Sequence, residues 1–185
     1  LAIPLVGIVD TGLMGNLDNA SYLTATSISS SLFSMIFWSF GFLRMSTVGM
    51  IARSHGSERY HEILDLVIRN IIIVVIISIS LILLQQYILN LSLNIFYLSN
   101  NKKENFKEYF QIRIYSSFGE LTIFSITGLF IGLQKTKISS FLVGFFSISN
   151  IFFSLFFVLY LDLNIRGVAF GTLFSSTLSA VLFLF

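Results

Sequence analysis

Residues 71–84 read IIIVVIISISLILL, an uncharged run inside a longer apolar stretch that covers about residues 63–93. A helix needs about 20 apolar residues to cross the hydrocarbon core of a bilayer, and this stretch is longer than that. Its apolar residues are continuous and do not alternate with polar ones, which favours a helix over a strand of a membrane barrel. The stretch therefore predicts a transmembrane helix.

The composition of the whole chain supports the same interpretation. Apolar residues make up 55% and charged residues 11% of the 185 residues, and the mean hydropathy is +0.88. A soluble domain carries about 25% charged residues, so this chain has too few of them to cover a surface in water. We predict an integral membrane protein. The net charge of +2, without a basic run, does not indicate a nucleic-acid partner.

Short polar segments divide the chain into six predicted spans, which cover residues 1–15, 20–52, 63–93, 106–133, 138–161 and 167–185. The separators are NLDN (16–19), RSHGSERYHE (53–62), SNNKKEN (99–105), QKTK (134–137) and DLNIR (162–166). These linkers are too short for a soluble domain. Because the first span is short and the last ends inside an apolar run, we expect a fragment of a longer membrane protein. The positive charges, Arg113 among them, are divided equally between the two sides, so they predict no orientation.

Three ionisable side chains are predicted to lie at membrane depth within the spans: Asp10, Arg44 and Glu120. Such a group costs at least ~2.5–3.5 kcal/mol to insert, so each is a candidate functional residue. The polar segment after Asp10 begins about 9 Å away along a helix, too far for this short side chain to reach. A desolvated carboxyl group is more easily protonated, so we expect Asp10 to take up and release a proton.

The other two groups have different positions. Glu120 lies near the middle of its span, so it must form an ion pair, be protonated, or face a water-filled cavity. Arg44 is nearer a span end and can extend its side chain toward the interface. A structural ion pair or an interfacial anchor is therefore the simpler role for Arg44.

The remaining patterns indicate packing and not catalysis. GLFIG (128–132) and GVAFG (167–171) have the small-xxx-small spacing of closely packed membrane helices. His55 and His61 lie in a polar segment without further metal ligands nearby, and the sequence contains no cysteine. It also has no recognisable nucleophile–base pair, paired carboxylates or phosphate-binding glycine loop. We predict no enzymatic activity, no metal site and no cofactor.

Three segments of the sequence carry a family resemblance. IPLVGIVDTGLMGNLDNASYL (3–23), FGFLRMSTVGMIARSHG (40–56) and NIFFSLFFVLYLDLNIRGVAFGTL (150–173) are similar to segments of the multidrug and toxic compound extrusion (MATE) transporters, most of all their DinF branch. The resemblance implies an all-α membrane protein with twelve helices in two six-helix lobes. Residues 1–185 would then be the N-terminal lobe, with its first and last helices truncated.

The resemblance also implies a function. MATE transporters export small organic compounds, often cationic or amphipathic, in exchange for H⁺ or Na⁺. The expected partners are these substrates, membrane lipid and the C-terminal lobe of the same full-length chain. The expected location is a bacterial inner membrane, and a coupling ion takes the place of a cofactor.

Carried over by motif, the cation-coupling residues of the family fall on Asp10, Asn150, Ser154 and Thr172. Ser154 stands where the family has a second carboxylate. Because Na⁺ needs several oxygen ligands and a proton needs one basic atom, a site with one acid favours H⁺ over Na⁺. We hypothesise that Glu120 supplies the missing acid, and that proton binding moves the first helix near Pro4.

Two alternatives stay open. A lipid-linked precursor flippase has a related architecture, but we would expect several cationic residues along its groove, and here only Arg44 lies deep in a span. A non-transporting membrane protein or decayed gene fragment would explain Ser154, and also Phe118, which stands where the DinF branch has proline. The full reading frame would separate these alternatives, because a transporter requires a second six-helix half.

Overall fold

The computed structural model describes residue 10 and residues 12–15, 20–96 and 98–184. These residues form helices joined by short turns and contain no strand, which confirms the predicted all-α class. The short pieces at residue 10 and residues 12–15 are helical. The rest of the first predicted span, with Pro4 and the separator 16–19, lies outside the described residues.

The helices that follow are numbered here in chain order. They are α1 (Ala20–Ser39), α2 (Phe42–Gly56), α3 (Tyr60–Leu83), α4 (Gln85–Phe96), α5 (Asn100–Arg113), α6 (Ser117–Gly132), α7 (Thr136–Leu155) and α8 (Asn164–Leu184). A 3₁₀ turn (Ile114–Ser116) joins α5 to α6, and a π-helical turn (Phe156–Tyr160) extends α7.

Five helical segments in the described part of the chain are long and apolar enough to cross a membrane. They are Ser21–Gly56, Tyr60–Leu83, Lys102–Gly132, Thr136–Tyr160 and Asn164–Leu184. They correspond to the second to sixth predicted spans. The first of them contains both α1 and α2, because only a brief turn around Phe40 and Gly41 separates these helices.

One predicted boundary is wrong. The polar segment 99–105, predicted to be a separator, forms most of the first two turns of α5. Ser99 precedes the helix in an extended conformation, and the Lys103 amide donates to its carbonyl oxygen at 2.9 Å. Beyond this polar start, α5 buries Phe106 and Phe110. Polarity therefore marks exposed helical turns here and not the end of a helix.

Glycines bring the spans together. A Cβ atom added at Gly128 of α6 would lie 2.9 Å from the Arg44 carbonyl oxygen of α2, and one at Gly132 would lie 2.8 Å from Ile51 Cβ. In the same way, a Cβ atom at Gly171 of α8 would lie 2.7 Å from the Ser154 backbone nitrogen of α7. These approaches confirm the predicted packing role of both small-xxx-small motifs.

The core contains aromatic rings, and the outer faces are apolar. The Phe33 ring of α1 lies 5.2 Å from that of Phe110 in α5, measured between centroids. On α3, exposed apolar side chains recur at helical spacing: Ile72, Ile76, Ile79 and Leu83. A helix face of this kind suits contact with lipid. The core of the bundle holds the polar residues of the candidate site.

Candidate functional site

Polar side chains fill the contact between α7 and α8. Asn150 of α7 is fully buried, and Thr172 and Ser175 of α8 are buried beside it. The Asn150 Nδ2 group donates to Thr172 Oγ1 at 3.0 Å and to Ser175 Oγ at 3.3 Å. These bonds satisfy the amide donor of the fully buried Asn150 side chain, as buried polar groups require.

Ser154 extends the polar contact by one helical turn. Residues four apart lie on the same face of a helix, so Asn150 and Ser154 both face α8. Gly171 lets the α8 backbone touch α7 at this level. Asn150 Oδ1 and Ser154 Oγ are buried and make no hydrogen bond within the described part of the structure. The contact therefore presents two oxygen atoms that can accept hydrogen bonds.

Asp10 joins this contact from the first predicted span. Its side chain is 7% exposed. The carboxylate lies near the Ser154 hydroxyl and within the electrostatic field of Arg113. Oδ1 has no aligned hydrogen-bond partner among the described residues. Among the described residues, the neighbours of Asp10 thus come from other helices.

The structure therefore brings the four carried-over residues into one buried region. Asp10 lies near Ser154, Ser154 shares a helix face with Asn150, and Asn150 bonds to Thr172. An arrangement with one carboxylate and several neutral oxygens can hold a proton or a small cation. The role of these residues in ion coupling stays a prediction.

Glu120 forms an ion pair with Arg113 at the junction of α5 and α6. Ser116, in the turn between the helices, donates a hydrogen bond from Oγ to Glu120 Oε1 at 3.1 Å. Pairing is one of the three states predicted for Glu120. Glu120 contacts Arg113 and Ser116, and the charge of Arg113 in turn acts on Asp10. The hypothesis that Glu120 replaces the missing acid stays a prediction.

Arg113 is the residue that sequence reasoning misses. In the sequence analysis, Arg113 is counted among the charges that flank the spans. It lies inside the predicted span 106–133, however, and this position could have identified it as a buried charge. The guanidinium carbon lies 5.0 Å from the centroid of the Phe33 ring and 5.5 Å from that of Phe37. Such cation–π contacts stabilise a cation away from water.

A groove of about 280 Å³ opens beside this ion pair. Its lining joins three charged residues to a mainly apolar wall: Arg44, Arg113, Glu120, Ser34, Phe37, Trp38, Ile123, Phe124, Thr127, Ile131, Ser139, Val143 and Phe146. Arg44 is exposed and forms no ion pair with any described residue. The predicted structural ion pair for Arg44 is therefore not found there, and the role of interfacial anchor stays a prediction.

The model of the MatE family matches residues 1–156 of this chain. The chain belongs to the MatE family. The match includes Asp10, Asn150 and Ser154, whereas Thr172 lies beyond it. Membership confirms the resemblance seen in the sequence, and the members of this family are transporters and not enzymes. With its five candidate spans, this MatE chain is an integral membrane protein.

Among curated proteins, the MatE chain is similar to the DNA damage-inducible protein F of Escherichia coli (strain K12). The two are 27% identical over 172 residues, which cover 93% of this chain and 38% of that protein. The chain thus spans about two-fifths of the length of this relative.

Solved structures show the same proportion. An outward-facing multidrug resistance MATE family transporter matches with a TM-score of 0.89 and 18% identity, over 98% of this chain and 40% of the other. An inward-facing transporter of the same description matches with a TM-score of 0.88 and 17% identity, over 97% and 41%. At these identities the likeness shows the fold, which is that of part of a MATE transporter.

Proposed function

We propose that the full-length protein is a secondary active antiporter that exports small organic compounds, cationic or amphipathic, in exchange for H⁺. Residues 1–185 form its N-terminal lobe, and a second lobe of the same chain completes the substrate cavity. Family membership supports the transport class, and the share of about two-fifths of each relative supports the missing lobe. The E. coli relative supports a location in a bacterial inner membrane.

The observation that carries the proposal is the buried carboxylate of Asp10 near the Ser154 hydroxyl, one helical turn along α7 from the unbonded Asn150 Oδ1 atom. When Asp10 is ionised, it can only accept hydrogen bonds; when protonated, it gains an O–H donor. Asn150 Oδ1 and Ser154 Oγ have no other partner in the described residues, so they can receive that donor. Proton binding would therefore draw the first span toward α7.

The coupling ion is proposed to be H⁺. The carried-over set contains one acid, since Ser154 occupies the position of the second carboxylate. The positive charge of Arg113 also acts on Asp10 and opposes the binding of either ion, so it does not distinguish H⁺ from Na⁺. A proton needs one basic atom, whereas Na⁺ needs several oxygen ligands, so the single acid suits the proton better.

Transport requires that proton binding favours one conformation of the protein over another. An ion shifts a conformational equilibrium only by its difference in affinity for the two states. The fold of this lobe matches relatives described as outward-facing and inward-facing almost equally well. This supports a lobe that keeps its fold while local changes around Asp10 select the direction of opening.

The test is export by the full-length protein in proteoliposomes, with pH and Na⁺ gradients imposed separately. We expect a pH gradient to drive export, a Na⁺ gradient to fail, and Asp10→Asn to abolish the pH-driven export. Asp162→Asn is the matched control, because Asp162 is exposed and its φ of 49° is one that asparagine tolerates. Undiminished pH-driven export by Asp10→Asn would contradict the proposal.

A further inference from the structure

The groove beside the Arg113–Glu120 pair bears on which compounds are exported, an inference that rests on the proposed function. Three charged residues line the groove: Arg44, Arg113 and Glu120. Two are cations and one is an anion, so the lining carries one excess positive charge. Through Coulomb attraction, this excess positive charge favours an anionic ligand over a cationic one.

The single acid in the groove is already engaged. Glu120 accepts a hydrogen bond from Ser116 and pairs with Arg113, and both side chains of the pair are largely buried. A cationic ligand that took Glu120 would leave the Arg113 charge without its partner, and breaking a buried pair in this way is costly. The lining of the groove therefore provides no free acidic group to bind a cationic ligand.

Arg44, in contrast, is available. It belongs to the candidate span Ser21–Gly56 and lines the groove without an ion pair among the described residues. Its backbone is held against α6, because Gly128 lets the Arg44 carbonyl approach closely. Because Arg44 is exposed and has no ion-pair partner among the described residues, its guanidinium is accessible to an anionic group of a ligand.

The rest of the wall suits an aromatic ligand. Four rings from three helices line the groove: Phe37, Trp38, Phe124 and Phe146. Ligand sites in proteins are mostly apolar and aromatic, with a few polar groups that fix the orientation of the ligand. Among the charged groups of this lining, the guanidinium of Arg44 has no ion-pair partner in the described residues, and it can bind a carboxylate or sulfonate with two parallel hydrogen bonds.

We propose that this groove binds an amphipathic organic anion, an aromatic carboxylate or sulfonate, with its acid group on Arg44 and its rings against the aromatic wall. The Arg113–Glu120 pair remains closed during binding and gives the groove a polar, charge-balanced end. The exported compounds would then include organic acids.

The experiment compares two probes with the same ring system and opposite charge, 2-naphthoate and 2-naphthylmethylammonium. Their equilibrium binding to the full-length protein is measured in phosphatidylcholine nanodiscs without an ion gradient. We expect the naphthoate to bind about tenfold more tightly than the ammonium, as a charged hydrogen bond allows. Arg44→Gln should remove that preference, and Arg44→Lys, which retains the charge, should restore part of it.

The matched control is Arg53→Gln, on the same helix but outside the groove lining, which should keep the preference. Three results would overturn the proposal: tighter binding of the ammonium, naphthoate binding that Arg44→Gln does not weaken, or loss of naphthoate binding when phosphatidylglycerol is added. The last result would make a lipid headgroup the occupant. Because no gradient is used, failure here leaves the Asp10-dependent antiport untouched.

Discussion

At the scale of single residues, the Arg113–Glu120 ion pair is expected to contribute measurably to the free energy of unfolding. The two side chains are 11% and 14% exposed, and removal of one partner leaves a buried charge that costs about 3–5 kcal/mol. We expect Arg113→Gln to lower the thermal unfolding temperature of the full-length protein in detergent strongly. The double variant Arg113→Gln/Glu120→Gln should recover much of the loss, because no charge is then left unpaired.

The chain contains its own control for this prediction. Arg166 and Glu108 form the same kind of pair at 2.7 Å, but their side chains are 54% and 31% exposed. An exposed pair contributes about 0–1 kcal/mol, so Arg166→Gln should change the unfolding temperature little. Equal losses for Arg113→Gln and Arg166→Gln would show that burial does not control the energy of these pairs.

Asp10 and Arg113, two buried ionisable residues, differ in how far the sequence alone identifies them as buried. Asp10 is predicted because it stands alone in an apolar segment within a recognisable motif. Arg113 is not predicted, because its span begins with a polar segment that resembles a loop. Its burial follows from Phe33 and Phe37, which come from another helix, and such a contact is not readable from local sequence.

At the scale of helices, the close contact of α7 and α8 depends on Gly171. A methyl group there would lie 2.7 Å from the Ser154 nitrogen and 2.8 Å from its Cα, and backbone atoms cannot move aside as a side chain does. We expect Gly171→Ala to separate the helices, at a cost of about 1–3 kcal/mol for overpacking. Thermal unfolding of the full-length protein in detergent measures this loss.

Gly144→Ala is the matched control on α7, because nothing lies within 4 Å of a Cβ atom added there. Alanine is the better helix former by up to about 1 kcal/mol, so this variant should unfold at the same or a higher temperature. The prediction for Gly171 is refuted if both alanine variants behave alike.

The positions of helices are predicted well where they follow from apolar runs. They are predicted less well where a polar segment is used to mark the end of a helix. The run in α3 predicts a span over residues 63–93; the structure confirms the span, but it runs from Tyr60 to Leu83 and a separate helix, α4, follows it. The segment 99–105 predicts a loop, yet it is helical because its polar residues can face outward while Phe106 and Phe110 bury the other part of α5. Which face of a helix is covered depends on its neighbours, and those are set by the tertiary fold.

At the scale of the whole molecule, the motifs identify the family before any contact is known, whereas the groove exists only once five helices are assembled. The groove draws its lining from α1, α2, α6 and α7 together with Arg113. No sequence spacing relates Arg44 to Glu120, so neither their shared cavity nor the excess positive charge is predictable from the pattern of spans.

The same scale yields the last prediction, which concerns the division of labour between the two lobes. The chain covers 38–41% of its relatives, and in the proposed function the cavity is enclosed by two lobes. Residues 1–185 reconstituted alone should therefore show no export under a pH gradient, because a substrate in an open groove is not shielded from either side. Addition of the remaining C-terminal part as a separate chain should restore Asp10-dependent export. Export by residues 1–185 alone, at the rate of the full-length protein, would mean that one lobe suffices and that alternating access lies within it.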